Sequence, residues 1–242
     1  MTEFPDGRRI AVVSDGSAHD LRAEAALIGD LTAVPVEPRV IVGDLAAGIR
    51  ALPADVAAVF LTHVEPPRAR RVQRELRESG ARPVLIREDA RAMVLAAAVL
   101  GSLRHGGRVV LAGAADLPLL VTLLMAAGVA DITTWNPADE AVYPLRNIAY
   151  GADVVVDLAG AMPAGAASVV TAAAVEAVPV AAAAMVLAAV RVPELEFEIE
   201  VQLAAVRGLT AAGSLGAASV RFVADAVTGV FAPRPPSQRR RR

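Results

Sequence analysis

Histidine, carboxylate and arginine are the residue types with which this chain could do chemistry, because it contains neither cysteine nor lysine. All 24 of its Lys+Arg positions are arginine. A guanidinium, with a pKa above about 12, keeps its proton near neutrality, so no side-chain amine is present to exchange one. The histidines are His19, His63 and His105. His63 stands just beyond the apolar run Val56 to Leu61, and parallel sheets open their active sites at strand ends. Glu65 is near it in sequence and Glu88 follows another apolar run. His63 with one of these carboxylates could serve as a general base; the alternative is a polar strand edge without catalysis. Ser14-Asp15-Gly16-Ser17 lacks the Gly-x-Ser-x-Gly elbow of a hydrolase. Without cysteine there is no thiolate nucleophile, no cysteine metal site and no disulfide framework, and a cytoplasmic location is expected.

These residues need elements to position them. Arg9 to Ser14, Arg39 to Val42, Val56 to Leu61 and Pro83 to Ile86 read as strands of a first half. Pro66 to Ser79 reads as a helix, with proline at its start, Gly80 past its end, and Ala69, Val72 and Leu76 at helical spacing. Its Arg70, Arg71, Arg74 and Arg77 form a face that reads as solvated surface rather than a phosphate site. Glu88 to Leu103 is an alanine-rich helix ended by Gly106-Gly107. A second half follows: strand Val109 to Ala112, helix Asp116 to Ala127, strand Asp131 to Trp135, then strands at Asp153 to Val156 and Val178 to Val180. The alternation is the βαβ pattern of a doubly wound parallel sheet. A last helix is expected over Gly216 to Val230, and Pro233 to Arg242 is a proline-rich, arginine-ended tail expected to be disordered. No internal sequence repeat is evident.

At 242 residues the chain can bury a substantial core, as one large domain or two small ones. Aromatics make up only 3% against 55% apolar residues, so Ala, Val and Leu must build the interior. The formal charge of −2 gives no general attraction to nucleic acid or membrane, and the four terminal arginines read as a solubilising end. Met1 to Asp6 lacks the regions of a signal peptide. Val154 to Val190 is poor in charge, but Asp157, Glu176, Pro163 and Pro179 interrupt it and alanine dominates it. A buried strand-helix-strand unit is expected there, not a membrane span.

Three segments resemble the malic enzyme family: Ala11 to Ser17, a strand and turn; Pro83-Val84 with the helix Met93 to Leu103; and Val109 to Ile132, including Leu123 to Val129. The resemblance implies an α/β fold, with a truncated malic-enzyme-like N-terminal half and a Rossmann-like parallel-sheet C-terminal half. It also implies a catalytic lysine, a divalent metal and a nicotinamide cofactor, and each can be checked by position. After Pro35-Val36, where the family's lysine follows, stand Glu37, Pro38 and Arg39. The family's Gly-Leu-Gly-Asp loop is replaced by Leu21-Arg22-Ala23-Glu24. The Glu-Asp metal pair falls at Thr62 and His63, and the later aspartate at Glu88, a poor set for Mg²⁺ or Mn²⁺. Of the dinucleotide fingerprint only Gly113 survives, with Ala115 and Pro118 at the other glycine positions. Asp116 places a negative charge near the diphosphate, and the ribose-binding acid falls at Asn136. A tight strand-to-helix turn with Asp116 as N-cap is the plainer reading. The substrate asparagines of the family are missing from Pro179 to Val186 and from Phe197 to Gln202.

The sequence therefore predicts a malic-enzyme-like domain over residues 1–92, a degenerate NAD-binding domain over 93–232 and a tail over 233–242. No catalytic residue and no metal ligand is assigned. Gly113, Asp116 and Asn136 are vestigial cofactor positions, with no cofactor expected beyond a residual NAD(P) site. The expected role is that of a non-catalytic homo-oligomer, a homodimer above all, which is structural, a scaffold or regulatory through self-association or a protein partner. Its alternatives are an NAD(P)-linked oxidoreductase with a rebuilt site and a small-molecule sensor using the cleft between domains.

Overall fold

The chain is described here from a computed structural model, over residues 7–16, 20–103, 106–162, 169–170, 177–213 and 216–231. Ser17, His19, His105 and the tail 233–242 lie outside the described residues. Two four-stranded parallel sheets organise it. The first comprises β1 (Arg9–Ser14), β2 (Val36–Val40), β3 (Val56–Leu61) and β4 (Val84–Ile86), in the order β2-β1-β3-β4. The second comprises β5 (Arg108–Ala112), β6 (Asp131–Trp135), β7 (Val154–Asp157) and β8 (Val169–Val170), in the order β6-β5-β7-β8. The two orders correspond strand for strand, although the sequence carries no repeat. The α/β, parallel-sheet class expected from the βαβ pattern is the fold observed.

The period-2 pleat of each strand sorts its side chains between two faces. Ala11, Val13, Val59, Leu61, Val84 and Ile86 pack outward under helices α2 (Leu45–Arg50) and α3 (Pro66–Glu78). Their neighbours Ile10, Val12, Ala58, Phe60 and Leu85 face inward, into one core shared with Val109, Leu111, Val154 and Val156 of the second sheet. Helices α1 (Leu21–Thr32), α4 (Arg87–Ser102), α5 (Pro118–Ala126), α7 (Val178–Arg191), α8 (Ile199–Ala212) and α9 (Ala217–Thr228) fill that core. The short helix α6 (Leu145–Ile148) and Trp135 cover the outer face of the second sheet. Among the described residues no helix is long and apolar enough to cross a membrane.

Several elements differ from expectation. Val178-Pro179-Val180, expected as a strand, opens helix α7, which buries every residue from Val180 to Val190. Pro179 sits in its first turn, where the missing N–H costs nothing, and four alanines follow. The stretch from Val154 thus ends on a helix rather than a strand. The second strand lies at Val36–Val40 rather than Arg39 to Val42, as an edge strand that tolerates Pro38. The helix expected over Asp116 to Ala127 is broken: a 3₁₀ turn spans Ala114–Asp116, and α5 begins afresh at Pro118. Leu117 is its N-cap, with no side-chain capping bond, so Asp116 is not the cap.

Candidate functional site

In both sheets the connections that leave the two central strands run to opposite edges, so a crevice opens at the carboxyl ends of β1 and β3 and again at those of β5 and β7. In the first crevice the Thr62 N–H donates to Val13 O (2.9 Å), which sets Thr62 and His63 level with Ser14 and Asp15. His63 has φ +52 and turns the chain from β3 toward α3, a left-handed conformation uncommon for residues other than glycine.

The carboxylate bonded to His63 comes from helix α1. Glu24 is buried, with Oε2 3.1 Å from His63 Nε2 and Oε1 accepting from Arg87 Nη1 at 2.6 Å. An ionised carboxylate can only accept, so Nε2 carries the proton. The same Arg87 nitrogen lies 3.4 Å from Thr62 Oγ1. On the other side of the cleft, Arg68 Nη1 donates to Asp15 Oδ2 at 2.9 Å and its Nη2 to Gly43 O. Asp15, His63, Glu65, Arg68, Arg87 and Glu88 line a cleft of about 540 Å³. His63, Glu65 and Glu88 line this one cleft, but the carboxylate bonded to His63 is Glu24 rather than either residue expected from the sequence, and Glu24, Arg68 and Arg87 were not anticipated. One signal pointed to Glu24: it shares the apolar stripe of α1 with Leu21, Ala25 and Ile28, where a charge is tolerated only with a partner.

The divalent metal implied by the resemblance does not fit these donors. Glu24 and Asp15 each already hold a guanidinium, and Thr62 offers a neutral hydroxyl. Among the described residues no group of three His, Asp or Glu side chains is arranged to hold a metal ion. On α3, Arg71, Arg74 and Arg77 are exposed, as a solvated face requires, and Arg70 is half-buried.

The second crevice is closed by the chain itself. Gly113 follows β5 with φ +76, and a Cβ there would lie 3.0 Å from Ala159 N. Asp157, buried at the end of β7, holds that loop down by accepting from the N–H groups of Ala159 (3.1 Å), Ala161 (3.2 Å) and Met162 (2.8 Å). Backbone donors that a pyrophosphate would need are spent internally: Gly113 N–H on Trp135 O and Leu117 N–H on Ala114 O, both at 2.9 Å, while Pro118 has none. Asn136 Oδ1 accepts from Ala138 N at 3.0 Å, capping the 3₁₀ turn Pro137–Asp139. Gly113, Asp116 and Asn136 therefore stand at the carboxyl edge of the second sheet, but this donor set does not fit a dinucleotide phosphate.

No protein-family model matches the chain, and no curated protein sequence matches it. Solved structures do resemble it. A malic enzyme of Entamoeba histolytica superposes with a TM-score of 0.70 at 16% identity, covering 93% of this chain and 69% of its own. An NAD-dependent malic enzyme of Thermotoga maritima gives 0.73 at 17%, covering 92% and 83%. A malic enzyme of Pyrococcus horikoshii gives 0.70 at 14%, covering 93% and 76%. Likeness at this level of identity speaks to architecture alone: over more than nine-tenths of its length the chain has the malic-enzyme fold.

Proposed function

We propose that the chain is a malic-enzyme-like protein that has lost catalysis and acts as a structural, scaffold or regulatory homo-oligomer in the cytoplasm. The pairing of the crevice carboxylates with guanidinium carries this reading. Arg87 holds Glu24 and Arg68 holds Asp15, in a chain without lysine. A divalent ion would have to displace two arginines, and no ammonium stands ready to exchange a proton with substrate. Self-association is supported by large apolar side chains left exposed, among them Val142, Tyr143, Tyr150 and Phe222.

Two measurements test the reading. Light scattering should give a mass above the chain's own 24.9 kDa; a value equal to it across a wide concentration range overturns self-association. Malate with NAD or NADP and Mg²⁺ or Mn²⁺ should give no turnover, since losing a general acid-base group alone costs roughly 10²–10⁴-fold. Turnover that follows the chain through purification overturns the loss of catalysis and supports an oxidoreductase with a rebuilt site. A small-molecule sensor is a second reading; the charged cleft around His63 supports it, although that cleft lies within the half that holds the first sheet and not between the two expected domains. Ligand-induced thermal stabilisation without turnover would support it.

A further inference from the structure

A second cleft, away from both crevices, is built around a buried carboxylate. It has a volume of about 350 Å³ and lies between α3, α4, α5 and the start of α8. Asp89, in the first turn of α4, is buried there. Its hydrogen-bond partner is neutral: Gln73 Nε2 donates to Asp89 Oδ2 at 2.8 Å and to Val84 O at 2.9 Å. Both amide protons of Gln73 are thereby used, and among the described residues no donor is bonded to Asp89 Oδ1. That oxygen is not among the buried polar atoms left without a partner, so it opens to the solvent of the cleft. There a cation or donor could reach a carboxylate whose only bonded partner among the described residues is a neutral amide.

The rest of the cleft indicates what kind of molecule would arrive. Leu119, Ile199 and the buried Phe197 supply an apolar wall. Gln202, itself buried, donates to Phe197 O at 3.0 Å and fixes that wall. Arg77, exposed on α3, lines both this cleft and an adjoining one of about 320 Å³. Glu198, at the N-cap of α8, also lines the cleft. A hollow of this size, with one apolar wall and several polar and charged groups around it, can take a small molecule.

We propose that this cleft binds a small zwitterion of the aliphatic amino-acid class, with its ammonium on Asp89, its carboxylate on Arg77 and its alkyl group against Leu119, Ile199 and Phe197. No covalent step is involved. Nothing in the malic-enzyme likeness or in the proposed loss of catalysis requires such a site, and its test stands apart from both.

Calorimetry on the full chain at mildly alkaline pH decides it, with L-leucine, L-leucinamide (no carboxylate) and isocaproate (no ammonium) as probes. L-leucine should bind saturably at one site per chain, and isocaproate should give no heat. Asp89→Asn should weaken L-leucine by about tenfold or more, the loss of one charge-assisted bond. Arg77→Gln, a surface change that leaves the fold intact, should weaken L-leucine similarly while leaving L-leucinamide unchanged. The proposal is overturned if no probe saturates, if isocaproate binds as tightly as L-leucine, or if either variant binds L-leucine as the wild type does.

Discussion

Replacing Asp89 by asparagine should make the protein more stable at neutral and alkaline pH. Burial raises the pKa of this carboxyl from 3.8 to about 6. The Gln73 hydrogen bond opposes that rise, the neighbouring Glu88 adds to it, and Arg70 and Arg77 oppose it more weakly. The folded state thus prefers the protonated form. Its contribution is fully present below 3.8, where the unfolded chain is protonated too, and is lost as pH rises through about 6. A rise of this size corresponds to about 3 kcal/mol against the fold once both states are ionised. Asparagine cannot ionise, and its Oδ1 can still accept from Gln73. Ligand-free Asp89→Asn should therefore exceed the wild type by up to about 3 kcal/mol at about pH 8 and approach it at about pH 4. Urea unfolding can be followed through Trp135, the only tryptophan, which is buried and donates from Nε1 to Tyr143 O at 2.8 Å. Equal stability at alkaline pH, or parallel pH profiles for the two proteins, would refute the argument.

Removing the Glu24 carboxylate as Glu24→Ala should cost about 2 kcal/mol in the same assay, because Arg87 and His63 each lose a charge-assisted bond to a buried carboxylate while both keep some access to water; an unchanged midpoint would mean the pairing is incidental. Gly113→Ala should lower stability by about 2–3 kcal/mol, since a positive φ and the approach of Ala159 act together. Gly128→Ala, with φ +93 but no atom within 4 Å of the added Cβ, isolates the backbone term and should cost only about 1 kcal/mol; equal costs would show that the Ala159 contact is slack. NAD should bind no better than millimolar in calorimetry, and a micromolar site would reopen the question of dinucleotide chemistry.

Much of the first sheet was legible because its strands are short apolar runs between polar turns, and β1 and β3 fall where those runs lie. Helix α7 was not: Val-Pro-Val reads as strand when the alanines beyond it are given no weight, and full burial removes the polar face by which a helix is recognised. Pro118 likewise broke a helix that apolar content alone made continuous. At the site, the strand-end rule located His63, but spacing could not supply its partners. Glu24 and Arg87 lie 39 and 24 residues away in sequence and meet it only through the order of strands in the sheet. The loop that closes over Gly113 was hidden for the same reason, since Asp157 and Ala159 arrive from a different strand.

Helix α7 also sets a schedule for synthesis. The first sheet is complete at Ile86, yet the helix that packs against β1 and β3 from within begins about 90 residues later. At about 5–20 residues per second a ribosome needs roughly 5–20 s to deliver it. During that interval the inward face of Ile10, Val12, Ala58, Phe60 and Leu85 lacks the cover it has in the finished molecule. The nascent chain is therefore a natural client for chaperones that shield apolar surface. Any stall or cleavage before Val178 releases a fragment prone to aggregate rather than a smaller folded protein.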